Sequence, residues 1–259
     1  MILEGKTILV TGVGEGLGGE VARLAHRDGA NVMIAARREA SLQAIAKDID
    51  PAGARMAWNP GDITDAEQCE LLAAATVERF GRIDGLVQVA ALDALFGGLD
   101  DVTSEDFRRA FEVNVIGTTQ IVKAAAEKMK QTGGGSVVLI GSQSSFKKII
   151  SQIAYASSKG ALHTAMYFMA SELGQHRIRV NHVVPTWMWG PPVERYVGGV
   201  AKQRGVSTDE VISEIVSDMA IPEIPADEDV AESAIFLCSD RAKFVTGQTL
   251  FVNSGQLMP

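Results

Sequence analysis

Apolar runs of strand length alternate with helix-length segments almost from end to end of the chain, and this alternation limits the fold more than any other feature. The strand-like runs are residues 7–10 (TILV), 31–35, 55–58, 83–89, 136–140 (SVVLI), 178–184 and 249–252. Helix-like segments fall at 17–27, 41–49, 66–80, 103–130, 154–173 and 230–238. The strand runs are continuously apolar rather than alternating, which predicts burial on both faces and hence a parallel sheet between helical layers. Right-handed crossovers then give a doubly wound α/β fold of about seven strands with helices on both faces. No linker or repeat divides the 259 residues, so one domain over 1–259 is expected, long enough to bury a full core.

The first strand runs directly into Thr11-Gly12-Val13-Gly14-Glu15-Gly16-Leu17-Gly18-Gly19 and then a helix. A glycine-rich strand-to-helix turn lets the backbone approach a pyrophosphate and aims helix N-terminal N–H groups at it. Two spacings are readable: Gly14, Gly16 and Gly19 as G-x-G-x-x-G, and Gly12, Gly16 and Gly18 as T-G-x-x-x-G-x-G. The second is preferred because Gly12 directly follows the strand. Gly12, Gly14, Gly16, Leu17 and Gly18 are therefore candidate dinucleotide contacts.

The second strand ends Ala35-Ala36-Arg37-Arg38. A carboxylate there would hold the ribose 2′-OH of NAD, whereas arginine suits a 2′-phosphate. Arg37 favours NADP(H), with NAD(H) as the other possibility, since Glu15 and Glu39 would oppose the extra phosphate charge.

Ser142 closes the fifth strand, and Tyr155 and Lys159 follow at i and i+4 on the next helix, sharing one face. In an open α/β sheet ligands bind at the carboxyl ends of strands, which is where Ser142 falls. A free tyrosine titrates near pH 10, too high for easy proton exchange, and a neighbouring ammonium together with a cationic nicotinamide ring is expected to lower that value. An isolated Y-x-x-x-K is ordinary helix surface; here it accompanies the strand-end serine and the glycine turn.

Together these residues resemble the short-chain dehydrogenase/reductase family, in its compact Rossmann-like branch, over nearly the whole chain. The Thr11–Gly18 turn, Asp62 in Gly61-Asp62-Ile63-Thr64, Asn114, Ser142 and Tyr155-Ala156-Ser157-Ser158-Lys159 carry the likeness. So do Arg179-Val180-Asn181 leading to Pro185, and Thr246-Gly247 leading to Val252-Asn253-Ser254-Gly255. The resemblance implies that Tyr155 is the general acid/base and that Lys159 binds nicotinamide ribose. It further implies that Ser142 holds the substrate oxygen and that Asn114 helps seat a proton-relay water. Asp62 and Ile63 would border the adenine, and Ala90, Pro185 and Met188 would meet the cofactor elsewhere. Homotetramers or homodimers are also implied. Three departures stand out: Gln88-Val89-Ala90-Ala91 where the family usually has Asn-Asn-Ala-Gly, Thr186 after Pro185 where Gly is usual, and Gly190 where Thr is common. They predict a changed shape beside the cofactor, loss of the asparagine's polar support, and loss of a carboxamide anchor. An enoyl reductase would normally place lysine further from tyrosine than i+4. A nucleotide-binding regulator without turnover is the alternative class, but it has no need of a proton donor.

A substrate lid is expected around 187–225, with Ser207-Thr208-Asp209-Glu210 as a capping box before a helix at 211–219. Trp187, Met188 and Trp189, with Leu95, Phe96 and Phe146, outline an apolar pocket for a small-molecule ketone or secondary alcohol, unless they are simply core. Lys147-Lys148 reads as a solvated loop pair, with a CoA-type phosphate as the other possibility. A formal net charge of −8 gives nucleic-acid binding no electrostatic support. No signal-like or membrane-spanning run is apparent, so a cytoplasmic protein without membrane contact is expected. Cys69, Cys238 and the four histidines show no metal-ligand spacing, so no metal is expected.

Overall fold

The structure, a computed structural model, describes residues 1–258. The chain runs β1 (Thr7–Thr11), α1 (Leu17–Arg27), β2 (Asn31–Ala36), α2 (Glu39–Ile49), β3 (Met56–Pro60), α3 (Ala66–Phe80) and β4 (Gly85–Gln88). It continues through α4 (Ser104–Phe111), a π-helical stretch (Glu112–Gly117), α5 (Thr118–Gln131), β5 (Gly135–Ile140), α6 (Ile153–Gly174) and β6 (Ile178–Pro185). Then come α7 (Pro191–Arg204), α8 (Thr208–Val216), α9 (Asp227–Cys238) and β7 (Thr249–Val252).

The seven strands form one sheet in the order β3-β2-β1-β4-β5-β6-β7, every neighbouring pair parallel. This is the doubly wound arrangement expected from the alternation. Alternate residues of each strand feed opposite layers: Ile8 and Val10 join α1 and α9 on one face, while Leu9 joins α3, α5 and α6 on the other. From β1 the chain winds outward to β3, then returns to place β4 on the other side of β1. The switch opens a crevice above the carboxyl ends of β1 and β4.

α1 buries Leu17, Val21, Leu24 and Ala25, the stripe its periodicity predicts. The expected helix 103–130 begins as foreseen, with Thr103 and Asp106 closing a capping box. It is not one α-helix, however, because its register changes in the π turn at Glu112–Gly117. The lid also differs. α8 starts at the Ser207–Glu210 capping box but ends at Val216, and α7 precedes it where no helix was expected. Pro at the start of α7 and left-handed Gly205 at its end are its punctuation. Cys69 and Cys238 are buried and unpaired. Burial pushes their thiols up to about 11 and about 12, so both are inert packing residues.

Candidate active site

A two-lobed cleft lies over the switch point. The larger lobe, about 920 Å³, is bordered by Gly12, Arg37, Asp62, Ile63 and Ala90. The smaller, about 340 Å³, is bordered by Gly16, Leu17, Gly18, Ser142, Tyr155, Lys159, Pro185 and Met188. Gly12 and Gly14 belong to both lobes, so the glycine turn is the waist between them. Gly12 has φ +78°, and a Cβ there would lie 2.2 Å from the Ala90 nitrogen. A Cβ on Gly18 would lie 2.5 Å from the Gly12 carbonyl oxygen. Packing thus requires glycine at 12 and 18, and equally at 19, where a Cβ would lie 2.5 Å from the Gly14 carbonyl oxygen, while Gly14 itself faces open space. Gly16 caps α1 without any side-chain hydrogen bond, leaving the helix's first N–H groups turned to the cleft. Such a waist fits a pyrophosphate, and the two lobes fit the two halves of a dinucleotide.

In the smaller lobe, Ser142 follows β5 and caps a short 3-10 turn, accepting from the Ser144 N–H at 3.2 Å. Its hydroxyl pairs with Ser144 Oγ at 2.8 Å and lies beside the Tyr155 phenol, which rises from α6. Lys159, one turn further on, is buried and donates to the Ile140 carbonyl at 2.7 Å. Its Nζ lies 5.8 Å from the Tyr155 ring centre. The three residues named from the sequence therefore converge on one point of the cleft.

A family model described as Enoyl-(Acyl carrier protein) reductase matches residues 12–256. The 7alpha-hydroxysteroid dehydrogenase of Escherichia coli K12 is 31% identical, with 98% of this chain and 94% of that protein covered. The chain belongs to the short-chain dehydrogenase/reductase family. L-rhamnose 1-dehydrogenase (NAD(P)(+)) of a Sphingomonas species is 32% identical, covering 98% of this chain and 97% of the relative. A solved short-chain type dehydrogenase/reductase from Mycobacterium ulcerans superposes with a TM-score of 0.90 at 33% identity, covering 99% and 91% of the two chains. Like its relatives, this short-chain dehydrogenase/reductase is an oxidoreductase of the alcohol/carbonyl type.

Burial pushes the Tyr155 phenol up to about 12; the Ser142 hydroxyl opposes this and the Asp93 carboxylate adds to it. Burial also pushes Lys159 down to about 8, with Asp93 holding it up. In the protein alone, desolvation is the dominant cause; the expected lowering involves the Lys159 ammonium together with a cationic nicotinamide ring beside the phenol. Asp93, which borders both lobes, is a charge that the sequence pattern did not single out.

Asn114 does not border the cleft. Its amide donates to the Leu92 carbonyl and to Ser158 Oγ at 3.1 and 2.9 Å, and its carbonyl accepts from the Leu92 N–H at 2.7 Å. It ties the π turn to the chain after β4 and to the catalytic helix. The polar support expected to be lost with the family asparagine is present after all: Gln88 supplies it. Gln88 Oε1 accepts from the Ala90 N–H and the Thr11 hydroxyl, and Nε2 donates to the Ala90 carbonyl and Thr118 Oγ1. Thr186, in the usual glycine position, donates to Gln256 Oε1.

On the substrate side, Trp187 and Met188 border the smaller lobe as expected, joined by Ile149, Ile150, Pro192 and Val193. Four other residues do not face it. Trp189 packs with Val197 and Val211 between α7 and α8, and Leu95 is buried with Ala110 and Ala154. Phe146 packs edge-on against His163 and Phe251, and Phe96 is largely exposed. Side-chain direction, which spacing within a loop does not encode, decides each case. Lys147 pairs with Asp218 at 2.6 Å on the surface, bracing the end of the lid. No helix of the described residues is long and apolar enough to cross a membrane. Among the described residues no group of three His, Cys, Asp or Glu side chains is placed to hold a metal ion.

Proposed function

We propose that this short-chain dehydrogenase/reductase reversibly transfers a hydride between NADP(H) and a bulky, apolar ketone or secondary alcohol. The convergence of Ser142, Tyr155 and Lys159 on one lobe, at the end of a dinucleotide-shaped cleft, carries the reading. The bound nicotinamide supplies the hydride. Ser142 orients the substrate oxygen, and Tyr155 delivers a proton to that oxygen in reduction or removes it in oxidation. Lys159 holds the ribose, and its ammonium stabilises phenolate as it forms. Asn114 acts as a positioning residue: with its side chain committed, it holds the π turn where backbone oxygen can seat a relay water. An apolar wall that includes Ile149, Ile150 and Val193 excludes water and favours a lipophilic substrate.

Arg37 and Arg38 at the rim of the larger lobe support NADP(H), since guanidinium groups there match a 2′-phosphate. Direct binding of NADPH and NADH, followed by oxidation of the preferred one against a panel of ketones and sugars, tests the reading. Tighter NADPH binding and faster turnover of cyclic or acyl ketones are expected; NADH preference, or a sugar as the best substrate, contradicts the corresponding half.

A further inference from the structure

Position 190 is glycine, and the space its side chain would take is already filled. A Cβ there would lie 2.3 Å from Asp227 Oδ2 and 3.1 Å from its Cγ. The same oxygen lies 3.4 Å from where a Cβ on Gly16 would be. Asp227 is the first residue of α9, which packs along α1. Its carboxyl is thereby wedged between the start of α1 and the segment entering α7, and it borders the smaller lobe together with Gly16 and Met188. It is only 8% exposed, and among the described residues no group donates a hydrogen bond to it. A buried carboxylate with no partner is costly, and the place it occupies adjoins the waist that fits a pyrophosphate.

We infer that Asp227 is a cofactor-contacting residue which, as a neutral carboxyl, donates its O–H to a pyrophosphate oxygen of the bound dinucleotide and so ties cofactor affinity to pH. The inference rests on the dinucleotide reading above. The neutral group offers one donor, whereas the ionised group only accepts and adds a like charge beside the phosphates. Gly190 leaves room for this carboxyl, so the departure from the family pattern at 190 is what admits the α9 side chain to this place. Burial, and after it the Glu20 carboxylate on α1, push Asp227 up to about 6, which lets both forms exist near neutrality. Of the other charges around it, Glu15 lies in the glycine turn, Glu194 in the first turn of α7, and Glu228 and Asp229 beside it on α9. Tyr155, Lys159 and Asp93 stand on the remaining walls of the lobe. Lys159, at about 8, changes charge at higher pH than Asp227.

Calorimetric titration of NADP⁺ into wild type, Asp227→Asn and Glu20→Gln, from about pH 5 to about pH 7.5, tests the assignment. Titration of the cofactor's own 2′-phosphate is common to all three proteins, so the difference in slope is the readout. Wild type is expected to lose about tenfold in affinity relative to Asp227→Asn across this range, because the amide remains a donor at every pH. Glu20→Gln is expected to move the wild-type midpoint to lower pH by removing a like charge. Parallel slopes for wild type and Asp227→Asn overturn the assignment, as does an unmoved midpoint in Glu20→Gln. Failure of the wild type to bind any nicotinamide dinucleotide overturns the functional reading itself, and the assignment with it; loss of binding in Asp227→Asn alone overturns the assignment, because the amide keeps the donor.

Discussion

The His182 imidazole occupies the space into which a side chain on Gly141 would project, its Nε2 lying 2.3 Å and its Cε1 2.4 Å from the position of a Cβ there. Gly141 links Ile140, whose carbonyl holds Lys159, to Ser142, so the ring backs the strand end from which two site residues depend. Gly141→Ala must displace the ring or the strand. It is expected to lower kcat at least tenfold and Tm by several degrees, as overpacking does. His182→Ala in the same chain is expected to restore much of both. A double-mutant cycle on kcat and Tm measures the coupling; additive effects contradict it.

His182 also sets an acid limit on stability. It is fully buried, both ring nitrogens lack a hydrogen-bond partner, and it stacks on His163 with ring centres 5.3 Å apart. Burial first, and then Lys159 and His163, push it down to about 3. The folded state therefore binds this proton less readily than the unfolded chain does. Stability from the neutral ring is complete above about pH 6.5 and declines as pH falls toward 3, by up to about 1.4 kcal/mol per pH unit. Denaturant unfolding of wild type and His182→Leu across that range is expected to show a shallower decline in the variant.

The two catalytic groups predict opposite pH responses for the two directions. Tyr155, at about 12, stays protonated through the ordinary assay range and can supply the proton for reduction throughout. Lys159 loses its charge near pH 8, so ketone reduction is expected to hold steady below that pH and to fall above it. Alcohol oxidation needs phenolate and is expected to rise with pH. Steady-state kcat/KM in both directions checks this, and oxidation that falls with rising pH contradicts it.

The features legible in the sequence are those encoded locally. Strand–helix alternation, the Gly12–Gly18 turn, Ser142 at a strand end and Tyr155–Lys159 at i+4 all rest on near neighbours in the chain. What escaped depends on distant partners. The π turn at Glu112–Gly117 interrupts an otherwise helical pattern, and Asn114 is held there by Leu92 and Ser158, 22 and 44 residues away. α7 was hidden by Pro191-Pro192 and Gly198-Gly199, although proline at a helix start and Gly205 at its end were readable signals. The roles of Phe146, Leu95 and Trp189 turn on side-chain direction, and the rise in Tyr155 turns on burial; neither quantity exists until the chain is folded.

The most direct test of the account compares wild type and Tyr155→Phe for oxidation of reduced cofactor by a ketone that the wild type turns over, with cofactor affinity measured alongside. Loss of the phenolic proton is expected to lower turnover by about two orders of magnitude or more while cofactor affinity changes little. A Tyr155→Phe protein that reduces the ketone at close to the wild-type rate would contradict it.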